Sequence, residues 1–380
     1  MFGGRSGEHE VSLLSAASIL KAIDRTRFEV VPIGITKAGR WIAGEAAEDL
    51  LLGSSTNSQG TFAARVQKTL SVREAESMAA PHSVALRPEP QSALETGNTF
   101  GGFALDVIFP VLHGTFGEDG TIQGLFELAD IPYVGSGVLG SSAGMDKDVM
   151  KRLFAAAGLP IVKHVAVLRT EWERSPKKVI ARIEDELRYP LFVKPANLGS
   201  SVGISKAHDR AELGPALTLA AKYDRKLVIE QGVGGKKMKA RELEVAVLGN
   251  DAPRASVVGE IIPGKEFYDY EDKYLSEGAQ PVIPAKITKT ESREIRALAV
   301  EAFKACDLAG LARVDFLMEP DGKKRIYLNE VNTLPGFTKI SMYPKLWDAS
   351  GVSYPALISE LIELALERHG EKKRTVYARD

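Results

Sequence analysis

"YLNEVNTLPG", residues 327–336, reads as a strand running out into a turn, and it carries Glu330 and Asn332 two positions apart. Side chains two apart on a strand share a face, so the acid and the amide point the same way. Shortly before it, "RVDFLM" (313–318) is an equally apolar stretch with one acid, Asp315, and with Arg313 on the same face. Between the two lies "EPDGK" (319–323), whose Pro-Asp-Gly marks a turn. The reading is a hairpin that gathers two carboxylates and a carboxamide. Close carboxylates repel, and burying them is costly unless a cation or hydrogen-bond donors compensate. Hard oxygen ligands of this type suit Mg²⁺ that also binds phosphates; the plainer alternative is a solvated hairpin face. Arg313 is either the ion-pair partner of Asp315 or a stabiliser of charge developing in a reaction.

Working outward from the hairpin, strand-like and helix-like pieces alternate. Val11, Leu14, Ala17 and Leu20 form a helical stripe over 11–23, "FEVVPIGI" (28–35) and "DVIFPVLH" (106–113) read as buried strands, and "TIQGLFELA" (121–129) as a helix. Such alternation predicts an α/β class with a parallel, helix-covered sheet. Residues 44–100 are poor in periodicity and read as a loose excursion with a short strand near 64–72. Ser175-Pro176 is an N-cap followed by proline at the first helical position, which starts a helix to about Leu187. Strands are expected at 191–194, 227–230, 242–248, 254–262 and 311–318. Helices are expected at 290–307 and 355–369, the latter ended by Gly370.

At 380 residues the chain exceeds the usual size of one core, so two or three domains are expected. The 49 basic and 50 acidic residues leave a net charge of −1, so there is no global electrostatic case for nucleic acid or a membrane surface. The lone cysteine, Cys306, lies in an apolar stretch and rules out an intramolecular disulfide. No apolar run reaches the roughly 18 residues of a spanning helix, and "MFGGRSGEHE" has no apolar signal segment; a cytoplasmic protein is expected.

Two nucleotide patterns fail. "GSGVLG" (135–140) matches G-x-G-x-x-G but lacks an acid at the ribose position, and it reads as a flexible interdomain turn. "GVGGKK" (232–237) lacks the Ser or Thr and the glycine spacing of a P-loop. The loop "KPANLGSSVGISK" (194–206) is more informative: a lysine ends a strand, and small residues then let backbone N–H groups approach an anion. His113, in "HGTFGEDG" (113–120), sits at a strand end before a glycine-rich turn. No His/Cys cluster has zinc spacing.

Together "GGRSGEHEVS" (3–12), "HGTFGEDGTIQG" (113–124), "GMDK" (144–147), "VKPANLGSSVGISK" (193–206), "EFYDYEDKY" (266–274), "RVDF" (313–316) and "NEVNTLPGFT" (329–338) resemble the D-alanine–D-alanine ligases of the ATP-grasp superfamily. The likeness runs in order over the whole chain apart from 44–100. It implies a three-domain ATP-grasp fold with an N-terminal doubly wound parallel sheet (1–134), a central domain (135–230) and a C-terminal catalytic domain (231–380) with a lid at 264–274. It also implies ATP, two Mg²⁺ ions (Mn²⁺ as a substitute), two D-alanines and a homodimer.

Residue by residue, the resemblance implies Lys147 and Lys194 on the ATP phosphates, Glu230 by the adenine and Glu242 on the ribose hydroxyls, with Ser201, Gln231 and Lys273 also at the nucleotide. It implies Asp315, Glu330 and Asn332 as metal ligands, so that the missing positive charge arrives with ATP. Arg313 and the backbone N–H of Gly336 would stabilise oxyanion charge. Glu8 would hold the ammonium of the first D-alanine, tied to Ser200 and Tyr274. His113 and Glu118 are implied on the substrate side, and Ser341 and Met342 at the carboxylate of the second D-alanine.

Two departures from the family pattern carry expectations. Only Met1 and Phe2 precede Gly3 where relatives have an apolar strand, so a gap is expected beside the loop carrying Glu8. Gln231 stands where lysine is frequent, and a backbone contact to adenine would survive that change. The nearest rival is a D-alanine–D-lactate ligase. Ligases that favour D-lactate place a histidine in the lid, and no histidine lies between His208 and His369 here. A non-catalytic nucleotide-binding protein is the rival from another class; the intact set of Arg313, Asp315, Glu330 and Asn332 argues against it.

Overall fold

The computed structural model describes residues 1–55, 99–100, 103–234, 239–262, 280–320 and 325–377. Three main sheets organise these residues. In the first, β1 (Phe2–Gly3) pairs parallel with β2 (Ile33–Ile35), and β2 pairs antiparallel with β3 (Trp41–Ala43). Parallel bridges extend it from Phe2 to Val111 and from Ile108 to Tyr133. The gap expected beside Glu8 is absent: Phe2 sits between Gly34 and Val111 at 2% exposure, and the Ser12 hydroxyl accepts from the Gly3 N–H at 2.7 Å. The two strands expected at 28–35 and 106–113 are shorter than their apolar runs. Only 33–35 and single bridges at 108 and 111 pair, with Pro32 and Pro110 each lacking an N–H to give a ladder. A small hairpin, β4 (Thr99–Phe100) with β5 (Phe103–Ala104), stands apart.

The second sheet runs β6 (His164–Leu168), β9 (Lys226–Gln231), β7 (Leu191–Pro195), β8 (Ser205–Ala207), all antiparallel. Helices Pro176–Glu186 and Arg210–Tyr223 cover one face through Val179, Ile183, Leu213 and Leu217. The third sheet runs β12 (Gln280–Val282), β11 (Arg254–Ile262), β10 (Arg241–Gly249), β13 (Gly310–Met318), β14 (Ile326–Asn332). Along β10 and β13 the period of two is clean. Leu243, Val245, Ala312, Val314, Phe316 and Met318 face a core formed with helix Lys289–Ala305. The alternate residues Glu242, Glu244, Arg313 and Asp315 face the cleft between the second and third sheets.

β14 breaks that period. Asp315 pairs with Glu330 but Phe316 pairs with Leu328, so Asn329 is one extra residue. This bulge keeps Ile326 and Leu328 in the core while turning Glu330 and Asn332 to the cleft.

Other sequence expectations change. Residues Glu45–Ser55 form a helix within the stretch read as loose, because Ala47 and Leu51 bury a narrow stripe. The C-terminal helix, Tyr354–Lys372, passes through Gly370, which the exposed last turn tolerates. "GSGVLG" is no flexible turn: helix Val138–Met145 begins inside it, and Gly140 lies so close to the Asp307 carbonyl that a Cβ has no room. Gly310 packs likewise on the Gly135 backbone, a seam joining 135–144 to 307–310. The strand expected at 64–72, the tip of the 319–323 turn and the lid 264–274 lie outside the described residues. Among the described residues no helix is long and apolar enough to cross a membrane.

Candidate active site

The two sheets enclose a cleft of about 440 Å³. Its floor is set by one helix. Asp146 caps helix Lys147–Ala156, its side chain accepting from the N–H groups of Asp148 and Val149. That fixes Lys147 at the first helical position and Lys151 one turn on, along the same face. The Lys147 ammonium donates to the Leu198 carbonyl at 2.8 Å and lies 3.7 Å from Glu330; its N–H donates to the Ala196 carbonyl. The loop predicted to hold phosphate is thus pinned to the same helix. It bends through left-handed conformations at Ser200 and Ser201, uncommon for residues with a side chain.

On the second sheet, Lys194 and Glu230 are neighbours across β7 and β9, with Nζ and Oε2 2.6 Å apart. Glu230 is 3% exposed, and its other oxygen meets Lys151 at 2.9 Å. Burial pushes the Glu230 carboxyl upward, yet Lys151 and Lys194 outweigh that and hold it at about 2. Lys194 shows the converse: burial pulls it down, and Glu230 with Glu330 more than restores it. Gln231 closes β9, its N–H donating to the Lys163 carbonyl and its side-chain oxygen accepting from the Arg188 N–H. Glu230, Gln231, Glu242, Ser200 and Ser201 all line the cleft.

On the third sheet the hairpin is as predicted: Arg313 faces Asn332 and Asp315 faces Glu330 across β13 and β14. Its positive partners are partly built in. Arg313 holds Asp315 by two 2.7 Å bonds and approaches Glu244 at 3.2 Å, and the Asn332 amide donates to Asp315 at 3.0 Å. The carboxylates are therefore partly compensated within the chain, and of the two roles expected for Arg313 the ion pair with Asp315 is present.

The N-terminal part of the chain reaches the cleft through Glu118, with its other candidate residues set behind it. Ser6 donates to the His113 carbonyl at 2.6 Å, tying the "GGRSGE" loop to the "HGTFGE" loop. Glu8, 8% exposed, lies where a Cβ on Gly199 would approach its Oε1 to 2.8 Å, so it reaches the segment next to Ser200. His113 donates from Nδ1 to the Leu334 carbonyl at 3.0 Å, and Glu118 lies 3.9 Å away. Burial alone lowers the His113 pKa, but Glu118 and then Glu8 overcome it and raise it above the ordinary value. Ser15 accepts from the Phe337 N–H at 3.2 Å and faces the His113 ring, so the segment after Gly336 is anchored to the N-terminal part. Ser341 accepts from the Thr338 N–H at 2.9 Å and would meet a Cβ on Gly336 at 2.8 Å. The Met342 side chain points into the core, leaving only its backbone for a ligand. Lys273 and Tyr274 lie outside the described residues.

The sequence reading passed over Lys151, Glu244, Ser15 and Asn329. The first two had a signal: Lys151 follows Lys147 by one helical turn, and Glu244 follows Glu242 by one strand repeat. Ser15 had none.

Two antiparallel sheets closing on a cleft with buried lysines on one side and an acidic hairpin on the other define an ATP-grasp ligase. The family models for the D-ala D-ala ligase N-terminus and D-ala D-ala ligase C-terminus match residues 1–136 and 153–363. The chain is 49% identical to the D-alanine–D-alanine ligase of Chloroherpeton thalassium over 98% of this chain and 97% of that protein. It is 50% identical to that of Natranaerobius thermophilus over 98% and 96%. The structure of the Coxiella burnetii D-alanine–D-alanine ligase is similar at a TM-score of 0.78 and 34% identity, covering 98% of this chain and 94% of that one. A D-Ala:D-Ser ligase from Enterococcus faecalis gives 0.76 and 34%, covering 96% and 97%. The chain belongs to the D-alanine–D-alanine ligase family.

Proposed function

We propose a division of labour in the cleft for the reaction of this family, the ATP-dependent joining of two D-alanines into the dipeptide used for peptidoglycan precursors. The observation that carries it is the meeting, in one cleft, of Lys147, Lys194, the 196–205 loop and the Asp315–Glu330–Asn332 hairpin. Lys147 and Lys194 hold the phosphates, with Glu242 at the ribose. Attack of the first D-alanine's carboxylate on the γ-phosphate gives an acyl phosphate and ADP. The amine of the second D-alanine then attacks the acyl carbon, and phosphate leaves. Arg313 and the Gly336 N–H face the oxyanion of that step. Glu8, with His113 and Glu118 behind it, holds the first ammonium, and Ser341 meets the second carboxylate.

The donor set fits Mg²⁺ or Mn²⁺. Asp315 and Glu330 oppose each other with Asn332 beside them, and a hard cation that keeps phosphate oxygens needs only one or two protein carboxylates. Bound there, two ions would neutralise charge spreading over the phosphates. Arg313 would then have to share Asp315, and Glu244 keeps a second hold on it.

A homodimer, a cytoplasmic location and domains at 1–134, 135–230 and 231–380 are expectations that travel with the family, to be checked by sedimentation, fractionation and limited proteolysis. The acceptor is tested by competition at neutral pH between D-alanine and D-lactate at equal concentration. Amide product is expected to dominate strongly, and predominant ester would overturn the assignment.

A further inference from the structure

Lys151 is a fully buried lysine that the reaction does not touch. It is 0% exposed, on the helix that begins with Lys147. Its ammonium meets Glu230 Oε1 at 2.9 Å, and Glu230 Oε2 in turn holds Lys194 at 2.6 Å. It also donates to the Asn329 carbonyl at 3.1 Å, and Asn329 is the extra residue of the bulge that turns Glu330 into the cleft. A buried ammonium is tolerated only when paired and hydrogen-bonded, so an unpaired hydrocarbon would be the cheaper filling if packing were the only need. The lysine instead bridges the two halves of the site.

We propose that Lys151 is a positioning residue that couples the phosphate lysine to the metal hairpin: through Glu230 it aims Lys194, and through the bulge carbonyl it sets the direction of Glu330. Lysine is specific here because its compact ammonium reaches a carboxylate and a carbonyl on different strands. A guanidinium brings a larger, planar head into a fully buried space packed around an ammonium, so it would displace Glu230, the Asn329 carbonyl or both. The inference rests on the placement of ATP phosphates at Lys194 given above.

The test uses Lys151→Arg and Lys151→Met in the 380-residue chain, with Lys194→Met as the control for that placement. ADP affinity is measured by calorimetry in the presence of a chelator, then the Mg²⁺ concentration giving half-maximal turnover, the KM for D-alanine and the melting temperature. Both Lys151 variants are expected to weaken ADP binding and to raise the Mg²⁺ requirement, each by about tenfold or more, with the KM for the first D-alanine unchanged. Lys151→Arg keeps the charge and answers the question if Lys151→Met does not fold. A lowered melting temperature with ADP affinity and Mg²⁺ requirement at wild-type values would overturn the proposal and leave Lys151 a structural residue. If Lys194→Met also binds ADP normally, the fault lies with the phosphate assignment rather than with Lys151.

Discussion

The cleft holds two acidic groupings that solve the same electrostatic problem differently. Glu230 is held at 3% exposure between Lys151 and Lys194. Asp315 and Glu330 are half-buried, with side-chain exposures of 15% and 21%, and rely on Arg313 and Lys147, the latter at a loose 3.7 Å. A charge in a dry site must be neutralised permanently by its own chain. A wetter pair can exchange partners, because water lowers the cost of each intermediate arrangement. The first grouping is built to stay, the second to accept something.

Removing one member of each should break the likeness most visibly. Glu230→Ala leaves two buried ammonium groups facing each other and should cost about 3–5 kcal/mol, read from denaturant unfolding. Asp315→Ala leaves Arg313 with Glu244 and should cost less, about 1–3 kcal/mol. The pH dependence follows the same line. Glu230 takes its proton at about 2 when folded against 4.5 ordinarily. Its stabilisation is complete above pH 4.5 and is lost as pH falls toward 2, since the unfolded chain binds more protons in that window. Equal costs for the two alanine variants would show that the groupings do not differ as described.

Glu330→Gln tests the other half. It preserves shape, so the melting curve should stay near wild type. Turnover should fall on the order of a hundredfold or more if Glu330 supplies the proposed metal-binding oxygen. Unchanged turnover would remove Glu330 from the site. The smallest effect belongs to Ser15→Ala, which frees the Phe337 N–H from its hydroxyl partner and should cost about 1 kcal/mol. A larger loss in kcat than in stability would place the 334–337 segment at the chemistry.

Much of this was legible in the sequence because it depends on period. The hairpin of 313–332, the loop after Lys194 and the helix begun by Ser175-Pro176 all follow from spacings of two or 3.6 and from turn residues. What the sequence hid depends on register or on partners far along the chain. Reading β14 with a strict period of two puts Leu328 on the face of Glu330; only the extra residue Asn329 separates them. Lys151 reads as a surface lysine until Glu230 and Asn329 close over it. The doublet Phe2–Gly3 is too short for a strand signal and pairs only because Gly34 and Val111 flank it.

The glycine seam between 135–144 and 307–310 has a genetic consequence. At Gly259, outside the seam, an added Cβ would meet the flexible ends of the Met342 and Leu346 side chains at 2.5 and 2.7 Å, and these can shift aside. At Gly140 the obstacle is the Asp307 carbonyl, part of the main chain, which no substitution can shorten. Inactivating alleles at Gly140 should therefore be recovered in selections only as true revertants, whereas an added methyl at Gly259 should be absorbed by small side-chain shifts.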